Sequence, residues 1–289
     1  MIVPYAPGGS TDITARLIVE ALGHRFRQPI LVENRPGAGG NIGAEAVARA
    51  TADGHTLLFA TSSYATNLSL YRNLSFDPRR DFAPITQVSF VPNLFVVPSD
   101  APARNLADLV ALAKARPGAL NYGSGGPGTS QHLAVALFAS RTGIEVQHAP
   151  YRGGALAVAD LLGNKIQFMA TPLVEVIEHV RAGRLRALAV TTARRSALLP
   201  EVPTVAETVP DYEVALWNGF FAPAGTPAEA VHRIAREVQA ALRTPETRER
   251  LAQQGCDPVG SDPGQFTSFI ASEIPKWAEI VRISGAIAE

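Results

Sequence analysis

The chain has 289 residues, a length that suits two lobes of ordinary size better than one core. With 46% hydrophobic and 18% charged residues it reads as a folded chain, and a formal net charge of zero without a basic stripe argues against a nucleic-acid surface. One cysteine, Cys256, leaves no disulfide framework and no Cys/His metal spacing, and no run reaches the roughly 18 apolar residues a membrane span needs.

Ile2–Tyr5 reads as a strand, and Ala6-Pro-Gly-Gly-Ser-Thr-Asp12 as a turn that opens a helix over Ile13–Arg25, with apolar residues at helical spacing. Ser10 or Thr11 is placed to cap that helix, and Asp12 in its first turn suits the dipole. Ile30–Glu33 is the next strand, followed by Asn34-Arg-Pro-Gly-Ala-Gly-Gly40 and a helix over 41–50. Strand Thr56–Ala60 leads to a hydroxyl-rich loop, Thr61-Ser-Ser-Tyr-Ala-Thr66. Ala83–Val97 holds two strand-like runs broken around Pro92-Asn93, and Leu106–Arg116 is a helix stopped by Pro117-Gly118.

Strand Ala119–Tyr122 then enters the turn Gly123-Ser-Gly-Gly-Pro-Gly128, which Thr129 or Ser130 closes as the cap of a helix through Leu133, Val135, Leu137 and Phe138. Strand and helix alternate onward: Glu145–Ala149, Leu156–Leu162, Ile166–Ala170, Val174–Ala182, Leu185–Thr191 and Val214–Ala222. A helix after Pro227 runs to about Leu242, and Pro263–Ile287 is helical with Pro275 kinking or dividing it. The β-α-β-α rhythm predicts α/β architecture with largely parallel sheets.

In open parallel sheets, ligands sit beyond the carboxyl ends of the strands. The loops 6–12, 34–40, 61–66, 123–130 and 170–172 all fall at such ends, and they are rich in glycine and hydroxyls. Glycine turns that open helices offer main-chain N–H groups to a small anion. The turn at 123–128 also matches G-x-G-x-x-G, so an NAD(P)-binding oxidoreductase is the alternative reading. Against it stand Pro127 in the turn, no acid after the following strand, and no acid–base pair nearby. A hydrolase is disfavoured because G-x-S-x-G is absent and Ser130 and His132 lie two apart on a helix. His132 reads as a brace behind the turn, Cys256 as a packing residue, and Arg243–Arg250 as a solvated helix face.

These residues resemble the periplasmic receptors of tripartite tricarboxylate transporters, the Bug-type receptors. The resemblance is carried by Ile2-Val-Pro-Tyr-Ala-Pro-Gly-Gly-Ser-Thr-Asp12, Val32-Glu-Asn-Arg-Pro-Gly-Ala-Gly-Gly-Asn41, Asp53-Gly-His-Thr-Leu57, Tyr122 to His132, Asp160-Leu-Leu-Gly163 and Ala222-Pro-Ala-Gly-Thr-Pro227. It implies a type II periplasmic binding fold, two α/β lobes with a ligand cleft between them. It also implies a small organic acid as ligand, a dicarboxylate for preference, and membrane transporter subunits as partners. The receptor is expected to be a periplasmic monomer without cofactor, metal or catalytic residue. Receptors of this kind carry an export signal, and the abrupt start inside a strand is consistent with its removal.

The lobes are expected at about 1–98 with 220–289, and at about 99–219, hinged near Val97–Ser99 and Trp217–Phe220. Candidate ligand residues in the first lobe are Ala6, Pro7, Gly8, Gly9, Asp12, Thr61, Ser62 and Ser63. In the second they are Ser124, Gly125, Gly128, Thr129, Ser130, Ala170 and Thr171. Two departures from the resemblance stand out. Asn164 occupies the place of a glycine, and Ala170-Thr171 occupies a place where an acid is common. A threonine cannot form an ion pair with a ligand ammonium as an acid could, so acids without an amino group are expected to bind better than aspartate or glutamate.

Overall fold

A computed structural model describes residues 1–285; the last two residues expected in the terminal helix, 286 and 287, lie outside the described residues. In chain order the elements are β1 (Ile2–Val3), α1 (Ser10–Phe26), β2 (Glu33–Asn34), α2 (Asn41–Ala48), β3 (Leu58–Thr61), α3 (Ser63–Leu70) and β4 (Phe82–Pro98). Then come α4 (Leu106–Ala115), β5 (Asn121–Ser124), α5 (Ser130–Thr142), β6 (Gln147–Pro150), α6 (Gly154–Leu162), β7 (Phe168–Pro172), α7 (Leu173–Arg181) and β8 (Leu185–Val190). The chain closes with β9 (Ala215–Pro223), α8 (Ala228–Arg243), α9 (Pro245–Gln253), β10 (Asp257–Pro258) and α10 (Pro263–Ser284). Two compact units result, Met1–Phe90 with Trp217–Glu279, and Val91–Leu216 with the end of α10 from Ile280.

In the first unit β1 pairs in parallel with β2 and β3, while β9 runs antiparallel to β3 with Thr61 opposite Asn218. β10 pairs antiparallel with the first half of β4. The core is aromatic: Phe59 meets Phe220 edge-on, Tyr64 stacks on Phe221, and Phe266 packs against Trp217 and Phe221. Gly219 makes this packing possible, since a Cβ there would lie 2.2 Å from the Phe266 ring. α8 buries Val231, Ile234, Ala235, Val238, Ala241 and Leu242, the one-faced pattern of a helix lying on a core. α10 contributes Glu273, whose buried carboxylate accepts from the indole N–H groups of Trp217 at 2.9 Å and Trp277 at 2.6 Å.

In the second unit β5 pairs in parallel with β6 and β7, and the second half of β4 runs antiparallel to β7 and β8. Leu94, Val96, Val158, Leu161, Met169, Val176 and Ile177 fill the space between this sheet and helices α6 and α7.

The expectation of largely parallel sheets is corrected here, because β4 and β9 run against their neighbours. The predicted break in β4 also does not occur. Pro92 falls where the pairing changes from β10, at Ser89 and Phe90, to β7 and β8, from Asn93 onward. At that handover a residue without an N–H costs no ladder bond. The 61–66 loop is instead the end of β3, at Thr61, and the start of α3. Burial decides this: Tyr64 stacks on Phe221 at 4.2 Å, and the carbonyl of Ser62 accepts from the amides of Ala65 and Thr66. α10 runs through Pro275 without being divided.

Candidate functional site

β1 and α1 are joined by the turn that holds Ala6, Pro7 and Gly8, all exposed. Gly8 has φ +82°, a left-handed conformation that suits glycine. The helix is capped by Gly9 without any side-chain bond, and Ser10 and Thr11 are already helical residues, which corrects the expected cap. Asp12 does the work instead. Its carboxylate accepts from Gly8 N–H at 3.0 Å, from Asn34 Nδ2 at 2.9 Å and from Arg16 Nε at 3.0 Å. Burial pushes the Asp12 carboxyl up, but the bonds from Arg16, Gly8 and Asn34 outweigh it and hold the group below its ordinary value. Asp12 therefore braces the turn as a paired anion. The amides of Gly9 and Thr11 meet no acceptor among the described residues.

Behind this turn lies a closed group of hydroxyls. Tyr5 Oη bonds to Thr61 Oγ1 at 3.2 Å and to Ser63 Oγ, and Thr61 and Ser63 are 3.2 Å apart. Ser62 is buried at the start of α3 and takes part through its main chain. Tyr5 was not foreseen as a site residue. Its signal was a phenol at the end of the first strand, one residue before the turn. Asn34, which ties Asp12 to the carbonyl of Tyr5 at 3.0 Å, was read only as a loop residue.

In the second unit the strand into the glycine turn starts two residues later than expected, so Gly123 lies inside β5. Its missing side chain makes room for Ile166 Cδ1, 2.4 Å from where a Cβ would stand. Ser124 is fully buried; its Oγ lies 2.6 Å from His148 Nε2 and donates to the Gly126 carbonyl at 3.1 Å. The turn's amides are nearly all taken from within. Gly125 N–H donates to Gln131 Oε1, Gly126 N–H to Ser124 Oγ at 3.1 Å, and Gly128 N–H to His132 Nδ1 at 3.1 Å. Thr129 caps α5, accepting from His132 N–H, and its own hydroxyl donates to the Gly126 carbonyl at 2.8 Å. Ser130 opens the helix and donates to Asn93 Oδ1 at 3.4 Å. What remains for an anion is the pair of amides at Ser130 and Gln131, which meet no acceptor among the described residues.

His132 braces the turn through Gly128 and stacks on His148, the ring centroids 4.1 Å apart and the planes within 2°. Tyr122 also stacks on His148 at 4.9 Å and lies 6.4 Å from His132. Burial and the neighbouring His148 lower the His132 pKa to about 3, and burial lowers that of His148 to about 4. Both rings are neutral at neutral pH, as the acceptor role of His132 Nδ1 toward Gly128 requires.

At the end of β7, Ala170 and Thr171 are fully buried. Thr171 Oγ1 receives a bond from Gln131 Nε2 at 2.8 Å and donates to Glu175 Oε2 at 2.8 Å. Gln131 Nε2 reaches the same Glu175 oxygen at 2.9 Å. The strand end read as lacking an acid thus has one, supplied from the first turn of α7. Gln131, His148 and Glu175 were missed because their roles depend on which helix and strand lie beside the turn.

The family description "Tripartite tricarboxylate transporter family receptor" matches residues 14–285. The chain belongs to this family. Rpa4515 of Rhodopseudomonas palustris, solved with adipate, is 37% identical, with a TM-score of 0.95 over 99% of this chain and 97% of its own. The periplasmic binding protein BugD is 32% identical, with a TM-score of 0.93 over 100% of this chain and 98% of its own. MatC of Rhodopseudomonas palustris, with bound malate, is 29% identical, with a TM-score of 0.90 over 97% of each chain. The fold is therefore that of the periplasmic binding proteins. The oxidoreductase alternative is not favoured, and the geometry of the turn gives the reason. A dinucleotide fingerprint needs its glycines for pyrophosphate, whereas here Gly123 serves packing and the amides of Gly125, Gly126 and Gly128 are already engaged.

Proposed function

We propose that this receptor captures a small organic acid in the periplasm, a dicarboxylate for preference, and delivers it to the membrane subunits of a tripartite tricarboxylate-type transporter, acting as a monomer without chemistry of its own. The observation that carries the reading is that the amides of Gly9 and Thr11 at the start of α1, and of Ser130 and Gln131 at the start of α5, meet no acceptor among the described residues, each pair just beyond the carboxyl end of a parallel strand. Helix starts of this kind favour anions. The adipate and malate held by two relatives supply the ligand class.

Of the candidate residues, Gly9 in the first unit and Ser130 in the second are assigned as direct donors, joined by Thr11 and Gln131. Gly8, Asp12, Thr61, Ser63, Ser124, Gly125, Gly128, Thr129 and Thr171 are assigned to hold these donors in place. A hydrogen bond to a charged oxygen contributes roughly 1.5–3 kcal/mol, and micromolar affinity needs about 8 kcal/mol net. Four or five such bonds supply this after the cost of immobilising the ligand, without a basic side chain.

Thermal shift against a panel of organic acids, NAD(H) and NADP(H), with mass spectrometry of what co-purifies, tests the reading. The expected outcome is stabilisation by one or more dicarboxylates and by no dinucleotide. Stabilisation by a dinucleotide alone would end it.

A further inference from the structure

At the end of the second unit's sheet away from the glycine turn, by the amino ends of β5 and β7, lies a cavity of about 270 Å³. Its walls are apolar, with Val97, Leu109, Leu112, Leu120 and Ile166 among them. Roughly 150 Å³ is enough for a benzene ring, so there is room for a ring and a short chain that carries a polar group. The frame of the cavity is fixed. Arg186 donates to the carbonyls of Ala101 at 2.8 Å and Ala103 at 2.9 Å and to that of Ser99, which pins the loop forming one wall. Asn164 holds another edge: it has φ +57°, a left-handed conformation that asparagine tolerates, and its Nδ2 donates to Asp100 Oδ2 at 3.3 Å. Two further lining residues carry unspent donors. Arg116, just past the end of α4, makes no ion pair or side-chain hydrogen bond among the described residues. Gln167 Oε1 accepts from Asn121 N–H at 2.8 Å and from Asn121 Nδ2 at 3.3 Å, while its own Nε2 meets no acceptor among the described residues.

We propose that this cavity is a second binding site, for a monocarboxylate with an apolar body such as an arylalkanoate. The walls take the body and the Arg116 guanidinium takes the carboxylate, a pairing stronger than one between neutral groups. Gln167 adds a neutral N–H. The acid on the lining, Asp100, already accepts from Asn164, whereas the donors of Arg116 and Gln167 are unspent, so an anionic head is favoured over an ammonium. Asp100 also meets no cation among the described residues, and it repels a second carboxylate on the ligand. The class therefore differs from the one assigned to the two turns: one acid group on an apolar body, in place of two acid groups. The cavity shares no lining residue with those turns, so the proposal does not rest on the receptor reading.

Calorimetry with 3-phenylpropionate as the probe tests the proposal, with the uncharged 3-phenylpropionamide and the cationic 2-phenylethylamine as controls of similar shape. Wild type should bind the carboxylate saturably at one site, roughly tenfold or more tightly than the amide, the worth of one hydrogen bond to a charged group. Arg116→Gln keeps much of the side chain's length and removes its charge, at an exposed position where folding is not at stake. It should bring the carboxylate down to the level of the amide and leave the amide unchanged. Leu112→Trp fills the cavity and should abolish binding of both, with circular dichroism showing that the variant is folded. No saturable binding of the carboxylate by wild type at millimolar concentration overturns the proposal. So does binding that Arg116→Gln leaves unchanged, or that survives Leu112→Trp in a folded variant, because the probe then sits elsewhere. A preference for the amine that is lost in Asp100→Asn overturns the anionic class. The receptor reading stands or falls separately, on the response to dicarboxylates.

Discussion

The turn after β1 and the turn after β5 solve the same problem with different chemistry. Each ends a parallel strand, opens a helix and leaves two amides, of Gly9 and Thr11 or of Ser130 and Gln131, without an acceptor among the described residues. The first is held by a charge: Asp12 collects bonds from Gly8, Asn34 and Arg16. The second is held by neutral acceptors: Gln131 takes Gly125, Ser124 takes Gly126, and His132 takes Gly128. The choice follows from the partner within reach, since Asp12 at 3% exposure is as buried as His132 at 8%. Arg16 is about half exposed beside Asp12, with a side-chain exposure of 51%, so an ion pair is affordable at the edge of the unit. The His132–His148–Tyr122 stack lies inside, where an unpaired charge would carry a large desolvation cost.

Acid should separate the two turns, and this is the largest effect expected. His132 and His148 have folded pKa values depressed to about 3 and about 4, against an ordinary value near 6.5. The unfolded chain therefore binds more protons than the folded one between about pH 6.5 and pH 4, and stability falls as pH is lowered through that window. Each ring contributes a slope of about 1.4 kcal/mol per pH unit there. Asp12 works the same way at lower pH. Its stabilisation is present above the ordinary carboxylate value and is lost only as pH falls through its depressed one. Denaturant melts across this range should show the histidine loss first. His132→Asn keeps an acceptor for Gly128 and removes the titration, so its profile should be flatter; an equally steep profile would mean that the rings are not the source.

Asp12→Ala should have the next largest effect. It leaves the Gly8 amide and the Asn34 carboxamide without their shared acceptor, and a loss of about 1–3 kcal/mol is expected in a denaturant melt. Thr129→Ala removes the cap of α5 and the bond to the Gly126 carbonyl, and should lower stability by about 1 kcal/mol. Because the Thr129 hydroxyl is spent on His132 and Gly126, its removal should weaken ligand binding less than stability. Calorimetry showing a greater loss of binding would return Thr129 to the ligand's own contacts. Arg16→Ala breaks a half-exposed pair and should cost less than about 1 kcal/mol, the smallest effect of the series.

The sequence determined the alternation of strand and helix, the family, and the places where the chain turns at strand ends. Those features are local: glycine, proline and hydroxyl residues act on their own backbone, and hydrophobic period is written along one element. Thr129 as a cap and His132 as a brace were legible for that reason, since each acts within four residues of itself. Tertiary structure alone decided that β4 passes through Pro92 unbroken, because only the change of partner strands makes the missing N–H harmless. It turned Thr61–Thr66 from a loop into the end of β3 and the start of α3 by burying Tyr64 against Phe221. It also brought Gln131 of α5 onto Thr171 and Glu175, 40 and 44 positions away. Contacts between residues some forty positions apart depend on how sheet and helix pack, and no local pattern encodes them.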